Sequence, residues 1–212
     1  GIDAYLLPTR LYQTGRVFSL TEGTHDHRDL KLSLLADPNG LDLQIRVVAF
    51  MALVVRRVRG WLFTEHASIY RRTRIVWKLA VGLPAAQQLQ SPLSELFERL
   101  SSAAWRVAGV QDEVTDTSIR QILFEAQQQS TSDSELNVEV AVVPEIAAQI
   151  YGFVMSNSFD KNAANIYLMA DVGAGTVDSA LFRVLPGRGG RWNFDFYTSV
   201  GEPNGVGKFQ GP

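Results

Sequence analysis

The chain reads as a mixed α/β protein. Two apolar runs of strand length, 75–83 and 138–143, are each followed by segments of helical spacing. A strand–turn–strand at 165–185 and a third strand at Trp192–Val200 then close the sequence as a meander. Strands alternating with helices point to helices packed against mixed sheets.

The elements follow in order. Tyr5-Leu6-Leu7 and Leu11-Tyr12 flank Pro8, and Val17-Phe18-Ser19-Leu20 follows Gly15. They predict two short strands, with Pro8 marking an edge or an interruption. Thr21 to Asp29 is polar and reads as a loop, and Asp37-Pro38-Asn39-Gly40 is a turn signal. Leu41 to about Ala67 is the strongest helix. Val47, Phe50, Met51, Val54, Val58, Trp61 and Leu62 recur at spacings of three and four and predict its core-facing stripe. Arg56, Arg57 and Arg59 lie mostly off that stripe and predict a basic outer face.

Pro84 stops the strand 75–83. Ser91-Pro92 opens a helix to about Val107, with Ser91 as cap and Pro92 at the first helical position. A second helix runs from Ser118 to about Gln128, and the polar stretch Gln127–Asn137 is a surface loop. Pro144-Glu145 starts a helix through about Met155 after the strand 138–143. Ser156–Ala163 is polar and marks a boundary. Pro186–Gly190 is a glycine-rich turn.

Composition narrows the function classes. The 212 residues suffice for one large domain or two small ones. A net charge of −2 gives no bulk attraction to nucleic acid or anionic lipid. Without cysteine there is no disulfide, thiolate zinc site or cysteine nucleophile. The longest apolar run, Val47–Val55, is far short of the roughly 20 residues that span a bilayer. Gly1-Ile2-Asp3 has no basic leader, so a cytoplasmic protein is expected.

The segment Ala170–Asp178 carries the most chemistry. An apolar run ends on Asp171, and Gly173, Ala174, Gly175, Thr176 and Asp178 follow before a second apolar run. Two readings stand side by side. It is a plain hairpin turn, or it is a phosphate loop whose glycines expose backbone N–H groups and whose carboxylate holds hydrated Mg²⁺. A dinucleotide fold fails, because Asp178 stands where the third glycine belongs and a strand follows instead of a helix. A Walker A loop fails, because Phe209 follows Gly207-Lys208 and Glu202 stands five before Gly207. Glu145 sits at a helix start, which is also a favourable charge–dipole position in its own right. His25-Asp26-His27 has metal-ligand residue types but no further ligand to complete a site, and reads as solvated loop. His66, near a helix end, reads as structural or solvated.

Together these pieces resemble the actin-like ATPase superfamily, which has a ribonuclease-H-like fold. Asp171-Val172-Gly173-Ala174-Gly175-Thr176-Val177-Asp178 is similar to its second phosphate motif, D-x-G-G-G-T-x-D, with Ala174 for the middle glycine. Three flanking segments resemble the branch of seventy-kilodalton heat-shock chaperones. Lys78–Ala85 is similar to the strand ending in V-P-A, with Ala108-Gly109 closing the next helix. Pro144–Gly152 is similar to E-P-x-A-A-A-x-x-Y-G, and Val200–Phe209 to G-D-x-x-L-G-G-x-x-F. The resemblance covers about 75–209 and is loose before that.

The resemblance implies an ATP-binding, ATP-hydrolysing domain that couples nucleotide state to lobe closure. Residues 1–156 would be the later part of lobe I, 157–164 a linker, and 165–212 the first strands of lobe II. Asp171, Asp178 and Glu145 would be catalytic, with Asp171 holding Mg²⁺ through water. Gly173, Ala174, Gly175, Thr176, Gly205 and Gly207 would line the phosphates, and a protein client or co-chaperone would be the partner. The sequence departs from the pattern in three ways. Val143 stands at the family's glutamate position, counted from Tyr151-Gly152. The glycine pair around 205–207 is approximate. The first phosphate motif, D-x-G-[TS]-T, is absent, and the adenosine segment would lie beyond 212, so the mapping gives a central slice. The strand at 75–83 would then have an unpaired edge, which predicts pairing with a second copy or with further residues. A degenerate, non-hydrolysing scaffold and a small-molecule kinase of the same fold are the alternatives.

Overall fold

The computed structural model describes residues 8–70, 72–83, 91–110, 112–128, 138–157, 159–160, 166–172, 177–187 and 192–202. The strand at Tyr5–Leu7, the stop at Pro84, the loop 129–137 and the turn at 188–190 lie outside them. The protein is mixed α/β, with three small sheets among the described residues. It divides into two compact units, Gly1–Leu79 with Glu95–Ala141, and Ala80–Ser94 with Val142–Pro212. Residues 157–164, expected as a linker, belong to the second of these units.

The first unit opens with β1 (Leu11–Thr14), β2 (Val17–Ser19) and β3 (His25–His27), in the order β2-β1-β3. Both pairings are antiparallel. Gly15 turns β1 into β2 at φ 58°, a left-handed conformation that glycine adopts without strain. β3 corrects the expectation of a loop from Thr21 to Asp29. Its ladder sets Leu11 opposite His27 and Gln13 opposite His25. Asp26 is held by Arg28 at 2.8 Å and Arg10 at 3.6 Å. A polar edge strand held by backbone pairing gives no hydrophobic alternation to read.

Two helices appear that the sequence reading lacks, α1 (Leu30–Ala36) and the short α3 (Ala67–Tyr70). Seven residues are too few for α1 to persist alone. It forms because Leu30 and Leu34 are buried and it packs on α2 (Leu41–Glu65). The stripe expected for α2 is corrected as well. Its buried residues are Gln44, Ile45, Val47, Val48, Ala49, Ala52 and Val55, whereas Val58 and Trp61 are exposed. Every residue from 47 to 55 is apolar, so spacing alone does not fix the phase. Ala49 and Ala52 decide it, because small side chains let other elements come close.

Helix α4 (Ser91–Gly109) contributes Leu96, Phe97, Leu100, Ala103, Ala104 and Val107 to the core. Helix α5 (Asp116–Gln128) starts two residues before the expected Ser118. Thr115 caps it: the Ser118 N–H donates to Thr115 Oγ1 at 3.2 Å, and the Thr115 N–H donates to Ser118 Oγ at 3.3 Å. This reciprocal bonding satisfies donors that the first turn leaves free.

Strand β4 (Trp77–Leu83) pairs with β5 (Val138–Pro144). Lys78 bonds Glu139 at 2.6 Å, and Gly82 lies against Glu145. The two contacts come in the same chain order on both sides, which is a parallel pair. Such a pair needs a long crossover, and α4 and α5 supply it. Among the described residues β4 has no second strand partner.

The second unit holds α6 (Glu145–Val154) and an antiparallel meander of β6 (Ile166–Val172), β7 (Val177–Pro186) and β8 (Trp192–Glu202). One sheet face packs on α6 through Ile150, Val154, Ala180, Phe182 and Val184. Phe153, Phe159, Tyr167 and Trp192 ring this core, with centroids 5.1–5.9 Å apart. Aromatic pairs in such edge and tilted geometries add to the stability from burial alone.

Candidate functional site

The hairpin β6–β7 frames the expected phosphate loop. Its register pairs Met169 with Ala180, Asp171 with Asp178, and Val172 with Val177. The two aspartates are therefore cross-strand partners in the ladder, one rung before its last. The two strands expected within 165–185 form and pair antiparallel; the turn expected between them lies outside the described residues. Gly173, Ala174, Gly175 and Thr176 make the connection, and Gly205 and Gly207 follow β8; all six lie outside the described residues. Asp178 also pairs with Gly201 of β8, so the aspartate end of the hairpin is anchored from both edges of β7.

Glu145 is the first residue of α6, directly after Pro144 ends β5. Its side chain is partly buried and crosses the backbone of Gly82. A Cβ at 82 would stand 2.7 Å from Glu145 Cγ and 3.3 Å from Oε1. Contacts of that length do not occur between real side chains, so the strand can carry only glycine here without displacing the carboxylate. Gly82 is a close neighbour of Glu145 that the expected site residues do not include. The available signal was a glycine inside an apolar strand, which marks a close approach. Helix α6 packs on β6 and β7, and Glu145, Gly82, Asp171 and Asp178 all belong to the second unit.

Other candidates resolve into structural roles. His25 Nδ1 lies 3.0 Å from Thr24 Oγ1, His27 Nε2 lies 3.0 Å from Gln13 Oε1, and Asp26 is taken by arginines. Among the described residues no three His, Cys, Asp or Glu side chains form a metal-binding group. His66 packs edge-on between Trp61 and Tyr70. No described helix is long and apolar enough to cross a membrane.

No family model, curated protein or solved structure matches the chain.

Proposed function

We propose that the second unit carries the phosphate-binding half of an ATP site of the actin-like, chaperone-related kind. One observation carries the reading: an antiparallel hairpin sets Asp171 opposite Asp178 on either side of the Gly173–Thr176 connection. Carboxylates at the mouth of a glycine-rich turn suit a hydrated cation, and exposed backbone N–H groups suit phosphate oxygens. Glu145 supports it as a carboxylate at the head of a helix packed on the same hairpin.

Mg-ATP would supply the phosphoanhydride and the cation. Asp171 would orient water in the cation's shell, and Asp178 would help hold that shell. The N–H groups of Gly173 to Thr176, with the Thr176 hydroxyl, would position the phosphates, and Gly205 and Gly207 would approach them closely. Glu145 would polarise a water molecule. Chemistry of this kind is mostly positioning and electrostatic stabilisation. Coupling to a protein client or co-chaperone would follow from lobe closure, and β4, with one strand partner among the described residues, would leave an edge for a second copy.

Val143 favours a second reading, a scaffold that binds without turnover. It occupies the family's glutamate position within β5, and Glu145 comes two residues later on the helix.

Calorimetric titration with Mg-ATP tests the proposal, with Asp171→Ala as control. Binding lost in the variant is the expected result. Absence of binding in the parent chain overturns it, and binding without phosphate release selects the scaffold.

A further inference from the structure

Charge is unevenly spread along this chain. Residues 56–78 hold seven basic side chains and one acidic one, in a protein whose net charge is −2. The six basic residues from 56 to 74 are all arginine. The same segment exposes large apolar side chains: Val76 is 82% exposed, Ile69 64% and Trp61 45%.

These residues share one region of the first unit. The α2 core contacts end at Val55, and the helix runs on for ten residues to Glu65. Trp61 contacts His66 with ring centroids 4.9 Å apart, and Phe63 meets Trp77 at 6.4 Å, which ties the helix end to α3 and to the start of β4. The Arg59 guanidinium lies 5.0 Å over the Trp105 ring. Arg56 is engaged with main-chain carbonyls and Lys78 with Glu139, so the charge of this surface rests on the exposed Arg57 and Arg72.

We propose that this end of α2, with α3 and residues 72–76, is a docking surface for an acidic segment of a partner protein, in which carboxylates alternate with apolar side chains. Charge complementarity names the carboxylates, and the exposed Trp61, Ile69 and Val76 name the apolar groups. The choice of arginine over lysine favours a protein partner. Guanidinium grips carboxylate with two parallel bonds, and arginine and tryptophan are enriched where protein interfaces hold most of their energy. Trp61 is a ring on which a base could stack, so the choice of a protein partner rests on the aliphatic Ile69 and Val76, which bases do not use, and the oligothymidine arm of the test opposes it. The surface belongs to the first unit and does not draw on the ATP reading.

The test uses the whole chain and a fluorescein-labelled, sixteen-residue helical peptide of glutamate and leucine, read by anisotropy at low salt. Binding is expected, weakening as salt rises. Arg57→Glu/Arg72→Glu should lower affinity by about tenfold or more, and Val76→Ser by several-fold. Both variants change exposed side chains, and circular dichroism confirms that they fold. The lysine-for-glutamate peptide should not bind. The proposal is overturned if the acidic peptide does not bind, if the charge-reversed variant binds it equally, or if binding is tighter to phosphatidylserine-containing vesicles or to an oligothymidine of sixteen nucleotides.

Discussion

Glu145 occupies the space beside Gly82: its side chain rests where any side chain at 82 would have to stand, with Cγ 2.7 Å from a Cβ placed there. Gly82→Ala is therefore expected to move Glu145 and to destabilise the second unit by about 1–3 kcal/mol, the usual range for overpacking. Removing Cγ with Glu145→Ala in the same chain should recover most of that loss. Urea denaturation of the four species gives the coupling energy, expected at about 0.5–3 kcal/mol. Simple additivity would mean that the contact is not formed in solution.

Phe182 is the fully buried centre of the second unit. Its ring stacks on Tyr167 at 5.7 Å and tilts against Phe196 at 5.9 Å. Phe182→Ala should cost about 3–5 kcal/mol in chemical denaturation, and Phe182→Leu much less. Equal losses would show that volume at this position is not what matters.

Arg56 reaches from α2 to the end of α4. Its guanidinium donates to the carbonyls of Val107 at 2.8 Å, Val110 at 2.6 Å and Asp112 at 2.7 Å. The Val107 carbonyl lies in the last turn of α4, at the negative end of the helix dipole, so a cation suits it. Burial lowers its pKa from the ordinary value, and Asp112 opposes that shift. Arg56→Ala is expected to lower stability by about 2–3 kcal/mol, on the scale of a charged hydrogen bond. Arg56→Lys should restore less than half, because an ammonium cannot span three acceptors in one plane. Thermal melts of the two variants decide this.

His27 makes stability depend on pH. Burial lowers its pKa, Arg46 and His25 add to the shift, and Asp26 opposes it. The folded protein thus binds this proton less readily than the unfolded chain, whose imidazole titrates near about 6.5. The contribution of His27 is fully present above that value. It is lost as pH falls from there through the lower folded value. Replacing His27 by Gln should flatten the stability profile in that window, measured as the difference between variant and parent in urea midpoints from pH 7 to pH 5. Parallel profiles would remove His27 as the cause.

Much of this architecture was legible because local chemistry and tertiary structure agree. Asp171 and the glycines after it end one apolar run before the next begins, and the hairpin forms there. Gly40 precedes α2, and Pro92 stands in the first turn of α4. The sequence was least informative where packing overrides pattern. Strand β3 is His25-Asp26-His27, polar throughout, and exists because β1 offers backbone partners. The buried face of α2 was misread because Val47 to Val55 is apolar on all sides, and the small Ala49 and Ala52 select the phase. Of the site, Asp171, Asp178 and Glu145 were visible as residue types next to turns and helix starts. The approach of Gly82 to Glu145 was not, because it joins two elements far apart in the chain.

That separation bears on the order in which the molecule assembles. The β6–β7–β8 meander joins neighbours in sequence, so its rungs close over short loops. The β4–β5 pair must wait until α4 and α5 have both been laid between its strands, and distant pairing of this kind is intrinsically slow. In pulse-labelled hydrogen exchange, amides of β7 should gain protection before those of β4. A chain caught between the two events would already hold Asp171 opposite Asp178, while Glu145 had yet to find Gly82.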